Sequence, residues 1–431
     1  AANNVAVGDL ALGSNTTGTE NTAVGTTAGD AITTGSNNTA IGYDTLSATT
    51  TAGSNTAVGS HAMQANAAGS DNTAVGNRAL LVNTGGLQNT AVGSYAMDAN
   101  TTGAYNSSLG YNVMSANTTG QRNVAMGYSA LKTNTTGSYN TALGMYASDQ
   151  NTTGSENTAV GYSALFSATT ADNNTALGRL ALYAQTTGGL NTAVGAAAMQ
   201  SSTTGANSVA VGVTACSSLT TASDAVAVGY NSLVSLTTGN NNTAIGSAAG
   251  YAMTTGANAI FIGKGAGRTG NPGGNVTTGS NGIYFGNSDN NAAYIQIDWT
   301  ISSDKRDKTD VKPLGLGLSF VNQLEPVTYK WDKRAQYLTP KDLEDGKDLD
   351  TVTADGTHKD DQVDLGFLAQ DVEKLEEAAG HKMADKTNLT TNLTEDGKQY
   401  GLRYAKFVPI LVKAIQELSS QVSDLKEQLD K

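Results

Sequence analysis

Cysteine is almost absent from this 431-residue chain: Cys216 stands alone. An intrachain disulfide and a zinc site built on cysteines are therefore excluded. No run of 18 apolar residues occurs, so no helix is expected to span or insert into a bilayer. Positive charge is in deficit, with 25 Lys+Arg against 37 Asp+Glu and a net charge of -12. A chain so acidic lacks the basic patch that nucleic acid or an anionic membrane surface would need. The histidines, His61, His358 and His381, are scattered and form no ligand cluster. No metal and no cofactor is expected.

Charge is also missing from most of the chain. Residues 1–300 hold 6 Lys+Arg and 12 Asp+Glu, whereas 301–431 hold 19 and 25. Of the 50 glycines, 42 lie in the first part. Such a shift places a domain boundary near residue 300. Richness in Gly, Thr and Asn is also a signature of disorder, and periodicity decides between the two.

The period is 17 residues. Glycine recurs at that interval from Gly8 through Gly25 and Gly42 to Gly246 and Gly263, giving 16 copies without an insertion. The unit reads N-T-A-V-G-x-x-A-L-x-x-N-T-T-G-x-x. The residue before the glycine is aliphatic in all 16 copies, and Ala stands three residues after it in 13. Thr22-Ala23-Val24 and its equivalents alternate as strands do. The glycine suits a corner that demands positive φ or has no room for a Cβ. Thr-Thr-Gly, as in Thr135-Thr136-Gly137, marks a second turn. Cys216 falls in a column mostly held by Leu or Met and reads as a small core residue.

A 17-residue unit cannot bury an apolar face alone, so stacked coils are expected to share one core. At about 4.8 Å per rung, the 16 copies would make a rod of roughly 75 Å. Asn stands four residues before the glycine in 13 copies, and in-register amides would bond as ladders. Two other readings of these residues are weaker. Asn-Thr-Thr has the form of a glycosylation acceptor, and repeated Thr pairs could form a flat array of the ice-binding kind.

The N-T-A-V-G core, with variants such as Ser208-Val209-Ala210-Val211-Gly212, resembles the head repeat of YadA-type trimeric adhesins. That resemblance implies a left-handed parallel β-roll, three chains side by side, with the Ala columns facing the partner chains.

After Gly263 the period breaks at Asn271-Pro272-Gly273-Gly274. Strands are expected at 282–286 and 293–299, and 264–302 reads as a β neck. Then Ser303-Asp304-Lys305-Arg306-Asp307-Lys308 resembles the S-D-x-R-x-K signature that opens the intramolecular chaperone of endosialidases and many phage tail fibres, the S74 peptidase family. The family usually has leucine where this chain has Asp307. The resemblance continues through Leu324-Glu325-Pro326-Val327-Thr328-Tyr329-Lys330-Trp331 and Gly366-Phe367-Leu368-Ala369-Gln370-Asp371-Val372, and ends in 404–418 and a terminal helix. It implies a small α/β chaperone domain over 303–431, with Ser303 and Lys308 as a catalytic dyad that cuts once at Ser302–Ser303 after trimerisation. The chain would then be at most a single-turnover self-cleaving serine peptidase with no diffusible substrate.

Within the last segment, about 405–431, Ile415, Leu418, Val422, Leu425 and Leu429 step by 3, 4, 3 and 4, the a/d pattern of a coiled coil. The alternative is an amphipathic helix lying on its own domain.

The expectation is a mostly β homotrimer: a solenoid shaft (1–263), a neck (264–302) and a self-releasing chaperone (303–431). Its function would be that of a virion tail fibre that attaches to a host receptor or glycan. The chain opens inside a repeat without an initiator Met, so a missing N-terminal region is expected to join it to other tail proteins. A bacterial surface trimeric adhesin and a polysaccharide-degrading tailspike are the alternatives. The repeats offer no paired carboxylates for the latter.

Overall fold

In the computed structural model, the described residues are 2–271, 273–290, 301–339, 341–342, 345 and 347–430. The strand expected at 293–299 lies outside them. The chain divides into two units: residues 1–265 with 277–283, and residues 266–276 with 284–431.

The first unit is a β-solenoid. Each coil contributes one strand of 3 residues, from β1 (Val5–Val7) and β2 (Thr22–Val24) to β16 (Ile260–Ile262). Neighbouring strands are parallel and in register at a shift of one repeat, so Ala23 faces Ala40 and Val24 faces Ile41. Bonds between coils hold this register along the whole unit. Thr141 N–H donates to the Asn157 carbonyl at 2.8 Å, Leu131 to Ala147 at 2.9 Å and Thr135 to Thr152 at 2.8 Å. The ladder continues past Gly263. Thr254 Oγ1 donates to the Thr277 carbonyl at a spacing of 23 residues, so residues 277–283 add a further coil after a six-residue insertion. Part of the neck read at 264–302, residues 277–283, thus keeps the solenoid's own pairing, and the strand expected at 282–286 is β17 (Ile283–Phe285).

The core of each coil is thin. The middle residue of the strand points inward, and in nearly every copy it is Ala, as in Ala23, Ala40 and Ala57, each 0–1% exposed. The Ala three residues after the glycine is also buried, as at Ala28, Ala62 and Ala79. This corrects the expectation that the Ala columns face partner chains. A coil of 17 residues encloses a narrow interior, and methyl groups are what it can hold. One larger residue per coil fills the remaining space: Met63, Leu80, Met97 and, where the column is smaller, Cys216. Burial pushes the Cys216 thiol up to about 12, so it stays protonated and inert.

The corner glycine is required twice over. Gly144 has φ +134°, and a Cβ there would lie 2.6 Å from the Gly161 carbonyl oxygen. The turn that follows uses left-handed backbone on ordinary residues. Arg78 and Leu80 have φ of 59° and 51°, and His61 and Met63 have 60° and 49°. Each such residue costs roughly 1–2 kcal/mol, which the bonds of both neighbouring coils offset.

Two asparagine ladders run through the interior. In the column four residues before the glycine, Asn123 Oδ1 accepts from Asn140 N at 2.9 Å, and Asn140 Nδ2 donates to the Gly154 carbonyl at 2.9 Å. In the Asn-Thr-Thr column, Asn117 Nδ2 donates to Asn100 Oδ1 and Asn134 Nδ2 to Asn117 Oδ1, both at 2.8 Å. These amides are fully buried, so they are not glycosylation acceptors. The first threonine of the turn is engaged too: Thr135 Oγ1 donates to the Thr152 carbonyl at 2.9 Å.

In the second unit, α1 (Leu318–Val321), α2 (Ala369–Ala378) and α3 (Phe407–Leu429) share a small core of Leu316, Phe320, Val372, Phe407 and Ile410. Short antiparallel pairs flank it: β18 (Val327–Tyr329) with β19 (Asp364–Gly366), and β20 (Thr391–Leu393) with β21 (Tyr400–Leu402). The sequence blocks at 324–331 and 366–372 form β18, the end of β19 and the start of α2. Glu417 on α3 accepts from Leu318 N at 2.7 Å and so caps α1. Tyr404 Oη accepts from Phe367 N at 3.2 Å.

Candidate autoprocessing site and exposed assembly surfaces

Lys308 lies five residues after Ser303, and an extended chain would hold them roughly 17 Å apart. A single 3-10 turn, Lys305–Asp307, folds the segment back. Asp304 starts the turn. Its Oδ1 accepts from Arg306 N at 2.9 Å, and its carboxylate also takes the Arg306 guanidinium, with Nη2 to Oδ2 at 2.6 Å. The Arg306 side chain, and then its backbone N–H, hold the Asp304 carboxyl below the usual carboxylate range. The turn closes with Lys308 N donating to the Lys305 carbonyl at 3.3 Å. As a result Lys308 Nζ donates to Ser303 Oγ at 2.6 Å.

The structure therefore brings Ser303 and Lys308 together, with Ser302 immediately before them, and all three are exposed. The roles of Asp304 and Arg306 were not read from the sequence. Their signal was present, because an aspartate two residues before an arginine can bond both its backbone and its side chain. Among the described residues, no group of His, Cys, Asp and Glu could hold a metal ion. No described helix is long and apolar enough to cross a membrane.

Two apolar surfaces stand uncovered in the single chain. On the solenoid, the aliphatic residue before each corner glycine points outward: Val7, Met126 and Ile245 are 57%, 47% and 45% exposed. On α3, Phe407, Ile410 and Ala414 enter the domain core. Ile415, Leu418, Val422, Leu425 and Leu429 do not, and Leu418 and Leu425 are 48% and 58% exposed. The heptad seam is thus not the buried face of a helix lying on its own domain.

These features define a class: a repetitive β-solenoid followed by a separate, charge-rich domain that ends in a long helix with an open seam. Residues 303–381 match the Peptidase_S74 family, chaperone of endosialidase. The match opens on Ser303 and includes Lys308, and it ends before β20, β21 and α3, which complete the same core. No curated protein and no solved structure is significantly similar to the chain. A β-solenoid joined to such a chaperone domain fits a trimeric tail fibre or tailspike.

Proposed function

We propose that the chain is one protomer of a homotrimeric viral tail fibre that attaches to a host surface, and that its terminal domain aligns three chains and then releases itself. The observation that carries the release step is the 2.6 Å contact of Lys308 Nζ with Ser303 Oγ, one residue beyond the bond to be cut. The Ser303 hydroxyl attacks the carbonyl carbon of Ser302. Lys308, as the neutral amine, takes the hydroxyl proton and passes it to the departing Ser303 nitrogen. The resulting ester is hydrolysed by one water, giving a shaft that ends in the Ser302 carboxylate and a fragment with a free Ser303 amino group.

A lysine acts as a base where burial disfavours its charged form. Lys308 is exposed in the single chain, so cutting waits until partner chains cover it. The two uncovered apolar surfaces supply the assembly. The aliphatic column would seat the shafts on one another, and the α3 seam would register them. Identical coils can slip by one repeat at little local cost, and a fixed meeting point at the terminus removes that ambiguity. Loss of the aligner after assembly makes the trimer kinetically irreversible.

The test is intact mass after expression of the full chain. Wild type should give a fragment beginning at Ser303, and Ser303→Ala and Lys308→Ala should stay whole. Cleavage of Ser303→Ala at the wild-type rate would overturn the dyad. A chain stopped at Ser302 should give far less heat-resistant trimer than the full chain, and equal yields would overturn the chaperone role.

A further inference from the structure

Aromatic residues make up 6% of the chain, yet six consecutive coils carry an unbroken path of ring contacts on the solenoid's outer surface. From Tyr95 to Tyr111 the ring centroids are 6.0 Å apart, from Tyr111 to Tyr128 5.5 Å, and from Tyr128 to Tyr146 5.4 Å. Tyr146 then meets both Tyr162 and Phe166 at 6.3 Å, and Phe166 stacks on Tyr183 at 5.2 Å. The residues come from three positions of the repeat, one, two and five residues after the corner glycine. At the first of these, most other coils carry non-aromatic residues such as Asp9, Thr26, Ser60 or Asn77, and Tyr43 and Tyr230 stand apart from the path. The tract is therefore a local feature and not a property of the repeat.

The rings are open to solvent, with Tyr111, Tyr128 and Tyr162 each 46–47% exposed. Polar groups border them. The Arg78 guanidinium lies 5.8 Å from the Tyr95 ring centre, and Asp98, Lys132 and Asp149 occupy the five-after-glycine position of the tract's coils, with Arg179 beside its end. Burial pushes the Asp98 and Asp149 carboxyls up, so both sit against the protein surface and not free in solvent. One Asp149 oxygen is buried without a hydrogen-bond partner.

We propose that this tract binds a neutral polysaccharide laid along the shaft. The proposal rests on the host-attachment reading and gives that surface its ligand class. A ring face carries negative potential, and the C–H face of a sugar ring is its natural complement. Successive rings spaced along the rod suit a polymer of repeating rings. Carboxylates accept from paired hydroxyls, and cations donate to ring and hydroxyl oxygens. With cations and carboxylates nearly balanced at the border, the surface selects neither a polyanion nor a polycation. A second copy of the chain is the competing occupant. The aliphatic column before the glycine continues through all 16 copies, as an interface between whole shafts requires, whereas the ring tract covers six coils.

The experiment is affinity electrophoresis of the full chain through gels containing dextran, laminarin, mannan or galactan, with dextran sulfate as the polyanion comparison. At least one neutral polymer should retard the wild type. Combined Tyr111→Ala, Tyr128→Ala and Tyr162→Ala should weaken that binding about tenfold or more, and the corresponding Phe variants should retain most of it. Combined Tyr43→Ala and Tyr230→Ala, outside the tract, should change nothing. Retardation by none of the four neutral polymers, retardation by dextran sulfate alone, or full binding by the triple alanine variant would overturn the proposal. So would loss of the assembled species in that variant by light scattering, which would make the tract a contact between copies. Polymer binding that stands while the chain fails to bind any cells carrying that polymer would instead overturn the host-attachment reading and leave the tract's ligand in place.

Discussion

Asn117 offers the sharpest test of how the shaft is held together. It sits mid-way in a run of stacked amides from Asn66 to Asn151. Its Nδ2 donates to Asn100 Oδ1 at 2.8 Å and to the Gly120 carbonyl at 3.1 Å, and its Oδ1 accepts from Asn134 Nδ2 at 2.8 Å. Asn117→Leu removes all of these at nearly constant volume. At about 1 kcal/mol per bond, the loss is about 3 kcal/mol. The Gly120 carbonyl still accepts from Asn106 Nδ2 at 2.9 Å, and Asn134 still donates to the Gly137 carbonyl at 2.9 Å. Asn100 Oδ1 is left stranded, which adds about 1 kcal/mol more. The same column elsewhere holds Leu219, Leu236 and Met253 in succession, all fully buried, so leucine itself is acceptable there when its neighbours are apolar. Replacing the whole run by leucine should therefore cost much less per site than the single change. Native-state hydrogen exchange reads this locally. Protection at residues 97–137 should fall about a hundredfold or more in Asn117→Leu. A change within about threefold, or a six-site variant that loses six times the single-site free energy, would refute the ladder as a cooperative element.

The corner glycine gives a second prediction. Gly144→Ala must adopt φ +134° with its Cβ 2.6 Å from a backbone oxygen, so it should cost at least about 3 kcal/mol in thermal or denaturant unfolding, while exposed Thr136→Ala stays within about 0.5 kcal/mol. Glu376 gives a pH dependence. Burial alone would raise its carboxyl, but the hydroxyls and backbone N–H groups of Thr391 and Thr390 outweigh it and hold the group below its usual range. A depressed carboxyl stabilises the fold above the unfolded value of about 4.3 and loses that contribution as pH falls through the folded value. Glu376→Gln should therefore melt lower at pH 7 and lose less on acidification below about pH 4.3, as followed by circular dichroism. Finally, combined Leu418→Asp and Leu425→Asp should leave the core of the terminal domain intact yet abolish the proposed trimer in light scattering. A trimer of unchanged mass would remove the seam from the interface.

Much of this protein was legible in the chain itself. The unbroken register of Gly8 to Gly263 dictates stacked coils, because only a repeating structure keeps one spacing through so many copies. The pairing of Ser303 with Lys308 was legible as well, because the turn that joins them needs only local residues. What the sequence could not decide was direction. Thr22-Ala23-Val24 alternates equally well whichever face is inward, and the apolar valine looks like the core residue. The closed coil settles it: one larger residue per coil, such as Met63 or Leu80, already fills most of the interior and leaves room mainly for a methyl group at the strand, so Ala23 is buried and Val24 stays on the outer face. The left-handed backbone at Arg78 and Leu80 was equally hidden, because ordinary side chains avoid it unless bonds to neighbouring coils impose it. The ring path from Tyr95 to Tyr183 also exists only in the fold, since residues about 17 apart become neighbours when coils stack. Periodicity thus determined that the chain would wind, and the cross-section of the wound coil decided which side chains it would keep and which it would offer to other molecules.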